Sequence, residues 1–135
     1  MSAETDNLFM GLAIELAHTA YENNEVPVGA VVVQKRNAEI LAAFSNQMRS
    51  TGSSLAHAEM LALQKSMELI KNERLLGCDM YVSLEPCPMC AYAISIARID
   101  TLFLLLRIKK VAVYCQDLRY LNQALATINQ KLYME

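Results

Sequence analysis

The sequence predicts an α/β protein in which helices cover both faces of a mixed five-stranded sheet, a three-layer α/β/α arrangement. Two short β-rich runs come first, at residues 29–34 and 40–45, and helical and strand patterns alternate after them. Hydrophobic residues make up 54% of the chain and charged residues only 19%, which favours a deeply buried sheet. A length of 135 residues suits one domain, so we expect a single domain over 1–135.

The first third of the chain predicts a helix followed by a hairpin. Apolar residues recur at helical spacing over residues 8–23, behind a candidate N-cap at Asp6. The two β-rich runs then flank the polar residues 35–39, as in a β-hairpin. Residues 46–54 are polar and contain a glycine, so we expect a loop there.

The remaining elements alternate between helix and strand. Four of them are predicted in order: a helix from residue 56 to about residue 71, a strand over 79–84, a helix over 89–97 with Pro88 in its first turn, and a strand over 101–106. A strand, helix and strand in succession favour parallel pairing, which makes the sheet mixed. A fifth strand over 111–114 and a closing helix over 117–132 complete the prediction.

Composition and charge exclude several classes of function. No apolar run approaches the roughly 18 residues of a membrane-spanning helix, and residues 1–7 do not resemble a secretory signal, so we expect a cytoplasmic protein. A net charge of −2 argues against a broad electrostatic surface for nucleic acid. The apolar excess predicts an oligomer, and together with the family resemblance given below it implies a homodimer.

One histidine and two cysteines stand at the predicted starts of two helices. His57 opens one helix, and Cys87 and Cys90 flank the start of the other in a Cys-x-x-Cys pattern. Three such ligands leave one position of a tetrahedral Zn²⁺ for water or hydroxide, as in catalytic zinc sites. We therefore expect one zinc ion per chain. The alternatives are a structural zinc with Cys78 or Cys115 as fourth ligand, or a pair of thiols that bind no metal.

Glu59 follows His57 by two residues, and a carboxylate beside a zinc-bound water can move its protons. In the middle of a helix these two residues would point about 200° apart, so both can face one metal only at the first turn. This arrangement predicts a hydrolase, with Glu59 as its catalytic acid and base.

The same residues resemble the zinc-dependent cytidine and deoxycytidylate deaminase superfamily, and within it most closely the tRNA-specific adenosine deaminases. Three stretches carry the resemblance, residues 25–31, 56–60 and 84–91, and in order and spacing they cover roughly residues 8–103. The resemblance implies a cytidine-deaminase-like fold and conversion of adenosine to inosine at the wobble position of a tRNA anticodon.

The resemblance also implies roles for individual residues. His57, Cys87 and Cys90 would bind zinc, and Glu59 would carry protons to the departing ammonia. Asn46 matches an asparagine that contacts the target nucleotide. The strand start formed by Val28, Gly29 and Ala30 would line the base pocket, and Glu85 would support the site from behind.

Some positions depart from the pattern of the tRNA enzymes. Residues 104–110 lack the glycine and the acidic residue that those enzymes carry there, and Tyr92 replaces a small glycine. The last eight residues contain one basic side chain. Two alternatives follow: a deaminase of a free base or nucleoside, such as guanine, cytosine or cytidine, and a zinc-binding scaffold without turnover.

Overall fold

The computed structural model describes residues 3–105 and 111–112, and nine elements follow one another in that part of the chain. They are α1 (Ala3–Glu22), β1 (Gly29–Gln34), β2 (Glu39–Ser45), α2 (Met48–Thr51), α3 (Ala58–Ile70), β3 (Cys78–Val82), α4 (Pro88–Ile96), β4 (Thr101–Leu104) and β5 (Val111–Ala112). The predicted hairpin is confirmed, since β1 and β2 pair in antiparallel register.

The strands form one mixed sheet in the order β2-β1-β3-β4-β5. β3 lies in the centre, antiparallel to β1 and parallel to β4, and β5 returns antiparallel to β4. Helix α4 is the crossover that the parallel pair requires. The predicted α/β fold with a mixed sheet is therefore confirmed.

Helices pack on both faces of this sheet. On one face, Phe9 and Ala13 of α1 pack against alternate residues of the strands, Val31, Val33 and Tyr81. On the other face, Ala62 of α3 and Ile94 of α4 share a larger buried cluster with the residues in between, such as Val32 and Met80. Strand alternation thus divides the core into two layers.

Gly29 sets the distance between α1 and the sheet. A side chain at this position would place its Cβ 2.1 Å from the carbonyl oxygen of Ala13 and 2.6 Å from Cβ of Leu16. Because the first of these contacts is with helix backbone, only glycine allows so close an approach. Gly29, which was predicted to line the base pocket, therefore faces α1 on the side where a side chain would lie.

Helix α1 begins earlier than predicted. It starts at Ala3, so Asp6 lies inside the helix and is not its N-cap. Acidic residues in a first turn interact favourably with the helix dipole, and the Tyr81 hydroxyl donates a hydrogen bond to Asp6 Oδ1. The helix ends at Glu22, one residue before the predicted boundary.

The other boundaries differ by only a few residues. The predicted loop at 46–54 contains the short helix α2, and β3 and β4 end two residues before the predicted strands. The fifth strand is present at Val111–Ala112, whereas residues 113–114 and the predicted closing helix over 117–132 lie outside the described residues. Within the described ranges, every helix is too short or too polar to cross a membrane.

Candidate metal centre

Two helix N-termini bring the three predicted metal ligands together. His57 is the N-cap of α3 and Cys87 is the N-cap of α4, both with extended backbone, and Pro88 starts α4. Neither N-cap side chain forms a cap hydrogen bond, and both face the Cys90 side chain instead. Cys90 lies in the first turn of α4 and is fully buried.

The distances between these ligand atoms fit a zinc ion. The sulfur atoms of Cys87 and Cys90 lie 3.6 and 3.5 Å from Nδ1 of His57. All three atoms lie within 4.8 Å of one another. A tetrahedral Zn²⁺ with ordinary bond lengths places nitrogen and sulfur ligands about 3.6 Å apart. The grouping predicted from the sequence is therefore present, at the spacing that zinc requires.

The two thiols titrate together. A hydrogen bond from the Cys90 thiol lowers the pKa of Cys87 to about 5. The same bond, together with burial, raises the pKa of Cys90. Cys87 is therefore the more acidic of the two thiols. A divalent cation bound between them would release the proton of Cys90 as well, since metal-bound thiols ionise.

Glu59 is a buried carboxylate beside the ligands. It lies in the first turn of α3, and because His57 is an N-cap outside the helix, the two side chains converge on one side. Burial raises the pKa of Glu59, and the neighbouring Cys90 side chain acts in the opposite direction. Its Oε1 atom is buried and has no hydrogen-bond partner in the part of the chain that the structure describes. An unpaired oxygen at this place fits a water held by a metal.

Asn46 holds the loop that leads to His57. Its backbone N–H donates to the carbonyl of Val28 at 3.0 Å, and its Oδ1 accepts a hydrogen bond from the N–H of Met48 at 3.1 Å. The side chain is buried, at 4% exposure. Asn46 therefore organises its loop, and its contact with a nucleotide stays a prediction.

The predicted pocket residues face different ways. Val28 and Ala30 belong to the same buried cluster as Ala58, on the side of α3. Gly29 faces α1, and its backbone N–H donates to Ser83 Oγ at 3.0 Å. Glu85 lies half-buried in the connection between β3 and α4. The contribution of these four residues to base binding or support stays a prediction.

The alternative with Cys78 as a fourth ligand does not fit the structure. Cys78 opens β3, whereas the ligands follow the other end of that strand, and the described metal-ligand group contains only His57, Cys87 and Cys90. The Cys78 thiol contacts the carbonyl of Leu76, and burial raises its pKa to about 11. Cys115 lies outside the described residues.

Sequence reasoning missed the contribution of Glu25. Its buried carboxylate accepts hydrogen bonds from two backbone N–H groups of α2, those of Arg49 and Ser50. A carboxylate beside Pro27 in an otherwise apolar motif was the available signal. Its partners lie 24 and 25 residues further along the chain, in a short helix that the sequence did not predict.

The chain matches a known protein family. The family model for the cytidine and deoxycytidylate deaminase zinc-binding region matches residues 3–106. A tRNA-specific adenosine deaminase of Rickettsia typhi is 36% identical over 124 residues, which cover 92% of this chain and 84% of that protein. The Bacillus subtilis enzyme of the same name is 44% identical over 95 residues, 70% of this chain and 58% of that protein.

Solved structures show the same relationship. A structure from a study of A-to-I editing by tRNA:A34 deaminases at the wobble position of transfer RNA matches with a TM-score of 0.69 and 44% identity, covering 73% of this chain and 74% of that one. Guanine deaminase from Bacillus subtilis matches with a TM-score of 0.69 and 34% identity, covering 77% of this chain and 64% of that one. The ligand geometry and these matches show that the chain belongs to the cytidine and deoxycytidylate deaminase zinc-binding family.

Proposed function

We propose that this protein is a zinc-dependent hydrolase that converts adenosine to inosine at the wobble position of a tRNA anticodon and releases ammonia. The observation that carries the proposal is the site itself. His57, Cys87 and Cys90 form a three-ligand group with a buried, unpaired Glu59 oxygen beside it. Relatives named tRNA-specific adenosine deaminase, 36–45% identical to this chain, support adenosine in tRNA as the substrate.

The side chains divide the reaction between them. His57, Cys87 and Cys90 hold the metal. Zinc bound there supplies Lewis acidity, which lowers the pKa of a water in its open position to about 7. Glu59 accepts a proton from the attacking water and passes it to the amino group that leaves C6 of adenine. Burial raises the pKa of Glu59, which brings a carboxyl closer to the range where it both accepts and donates protons.

In our proposal, the adenine base binds beside the metal centre. Asn46 contacts the target nucleotide, and the backbone of Val28, Gly29 and Ala30 forms the wall of the base pocket. The hydrogen bond from the N–H of Asn46 to the Val28 carbonyl supports this assignment, since it joins the two predicted contacts into one surface. Glu85 supports the ligand loop from its half-buried position before Cys87.

We also propose that the whole chain forms one domain and that two chains form a homodimer. Helix α4 carries no charged residue, yet its Tyr92 and Ile96 side chains are 54% and 52% exposed. These two residues lie four positions apart and share one helix face, which suits a protein contact. The three described cysteines are unpaired as disulfides, which supports a cytoplasmic location.

A deaminase of a free base is the second candidate. The similarity to guanine deaminase, with a TM-score as high as that of the tRNA:A34 deaminase structure, favours it. The net charge of −2 also favours a small substrate, because tRNA binding usually draws on basic surfaces. Both candidates use the same metal and the same Glu59.

The test is ammonia release by zinc-loaded protein from parallel panels of tRNA, free bases and nucleosides. We expect inosine at the anticodon wobble position, and we expect its loss in Glu59→Ala. Turnover confined to a free base or nucleoside would replace the tRNA assignment by the second candidate. Stoichiometric zinc without turnover on any panel would instead indicate a zinc-binding scaffold.

A further inference from the structure

The carboxylate of Glu25 caps a helix that lies far along the chain. Its two oxygens accept hydrogen bonds from the N–H groups of Arg49, at 3.0 Å, and Ser50, at 2.7 Å. These are among the first N–H groups of α2, which have no partner within the helix. The N-cap residue of α2, Gln47, makes no side-chain cap of its own. Asn46 Oδ1 accepts the N–H of Met48, and Glu25 caps the next two N–H groups from a distant part of the chain.

Glu25 stands on a rigid support. Asn24 adopts a left-handed conformation with φ of 59°, and the N–H of Glu25 donates to the carbonyl of Ala20 at 2.9 Å. This pattern closes the C-terminus of α1. Three residues after Glu25, the N–H of Val28 donates to the carbonyl of Val26 at 2.8 Å. The carboxylate is thus fixed between the end of α1 and the start of β1.

The capped loop has functional residues at both ends. Asn46 begins it, and Ala56, the residue before His57, ends it. The N–H of Gln47 donates to the carbonyl of Ala56 at 3.0 Å, which joins the two ends. A shift of α2 would therefore be passed to Asn46 on one side and to the start of α3 on the other.

We propose that Glu25 is a positioning residue of the deaminase site, which holds the loop between Asn46 and His57 in the conformation that receives the nucleotide. The proposal rests on the proposed function. Glu25 contacts no ligand itself and acts through the backbone of α2. The backbone hydrogen bond from Arg49 lowers the pKa of Glu25, so its carboxylate stays ionised at neutral pH. Charged acceptors form the stronger kind of hydrogen bond.

Hydrogen exchange of the zinc-loaded protein tests this role without any substrate. In Glu25→Ala, the amides of residues 47–52 should exchange at least about tenfold faster, while those of β1 and β3 stay protected. Glu25→Gln keeps one acceptor oxygen, so a smaller acceleration, about threefold, is expected. The matched control is Glu22→Gln, which removes an exposed carboxylate three residues away and should change nothing.

Steady-state kinetics supply the second readout. With tRNA, or with whichever substrate the panels identify, Glu25→Ala should raise KM at least about tenfold and change kcat less than about twofold, at unchanged zinc content. Unaltered exchange at residues 47–52 would overturn the proposal, as would a fall in kcat at constant KM. General loss of protection across the sheet in both variants would also overturn it, because Glu25 would then be needed for the fold. The exchange result separates failure of this inference from failure of the proposed function.

Discussion

Two buried carboxylates, Asp79 and Glu59, lie at different ends of the molecule, and different groups surround them. Asp79 lies near the start of β3, and Glu59 lies in the first turn of α3. Each has one buried oxygen without a hydrogen-bond partner in the part of the structure described, and burial raises the pKa of both. Both residues therefore carry the cost of a charge removed from water.

The difference lies in what opposes each charge. The Lys35 ammonium lies 3.9 Å from Asp79 and 3.1 Å from Asp100, so the chain itself provides a cation. Glu59 lies instead beside the Cys90 thiol and the His57 ring, and over residues 3–105 it forms no ion pair with lysine or arginine. A buried charge needs a partner, and at Glu59 the grouped ligands indicate that a metal provides it. The carboxylate of Asp79 is paired within the fold, whereas that of Glu59 is the one proposed to take part in the reaction.

The sharpest test of this comparison exchanges the two carboxylates for amides. Glu59→Gln keeps the shape of the side chain but cannot take up a proton, so kcat should fall about 10²- to 10⁴-fold. Zinc content, measured by metal analysis, should stay at one ion per chain. The matched variant Asp79→Asn should retain kcat within about twofold. Equal losses of kcat in both variants would contradict the division between them.

Metal removal should affect stability as well as activity. A chelator should abolish turnover and lower the midpoint of thermal unfolding by about 5 °C or more, because zinc binds the folded chain preferentially. Added zinc should restore both. His57→Ala should show no response of its melting temperature to the chelator, as followed by circular dichroism. A large response in this variant would place the metal elsewhere.

Removal of the lysine cation should affect stability alone. Lys35→Ala leaves Asp79 buried without its nearby cation, so the free energy of unfolding should fall by about 1 kcal/mol, with kcat unchanged. The control is Lys65→Ala, whose exposed pair with Glu68 spans 3.9 Å and should contribute less than about 0.5 kcal/mol. Urea titrations measure both values. Equal effects of the two substitutions would mean that burial of Asp79 does not increase the contribution of Lys35 to stability.

The smallest effect is a dependence on pH. Because burial raises the pKa of Asp79 in the folded protein above its ordinary value of 3.8, the folded state binds this proton more tightly than the unfolded chain. The stabilisation is complete below that value and is lost as pH rises through the folded pKa. Asp79→Asn does not titrate, so between about pH 4 and pH 7 it should gain stability relative to wild type, by less than about 1 kcal/mol. A stability difference between Asp79→Asn and wild type that did not change with pH would contradict the raised pKa of Asp79.

Local signals were sufficient for most elements and for the metal ligands. The proline at the first position of α4 and the strand patterns of β1 and β2 depend on neighbouring residues, so the sequence predicts them well. The convergence of His57 and Glu59 also follows from local geometry, because an N-cap lies outside the helical phase. The grouping of these ligands across 30 residues was inferred from their chemistry and from the family resemblance, since spacing alone does not place two helix ends together.

Long-range contacts account for what the sequence did not predict. Asp6 looks like an N-cap in isolation, yet its partner is Tyr81, 75 residues away. Gly29 was predicted only as a pocket residue, and its missing side chain also makes room for the backbone of α1. Helix α2 depends on a cap from Glu25 and has no periodic pattern of its own in four residues. In each case the partner is fixed by tertiary structure, which local propensity does not report.

The strand order has a consequence for the growing polypeptide during translation. β1 has two neighbours, and the second of them, β3, is completed only at Val82. Cys87 and Cys90 follow still later, on the helix that leaves β3. A nascent chain that ends before Val82 therefore lacks the complete pairing of β1 with β3, and one that ends before Cys87 lacks two of the three ligands. The three-ligand group is consequently complete only once residue 90 has been synthesised, when both strands of the hairpin are already present.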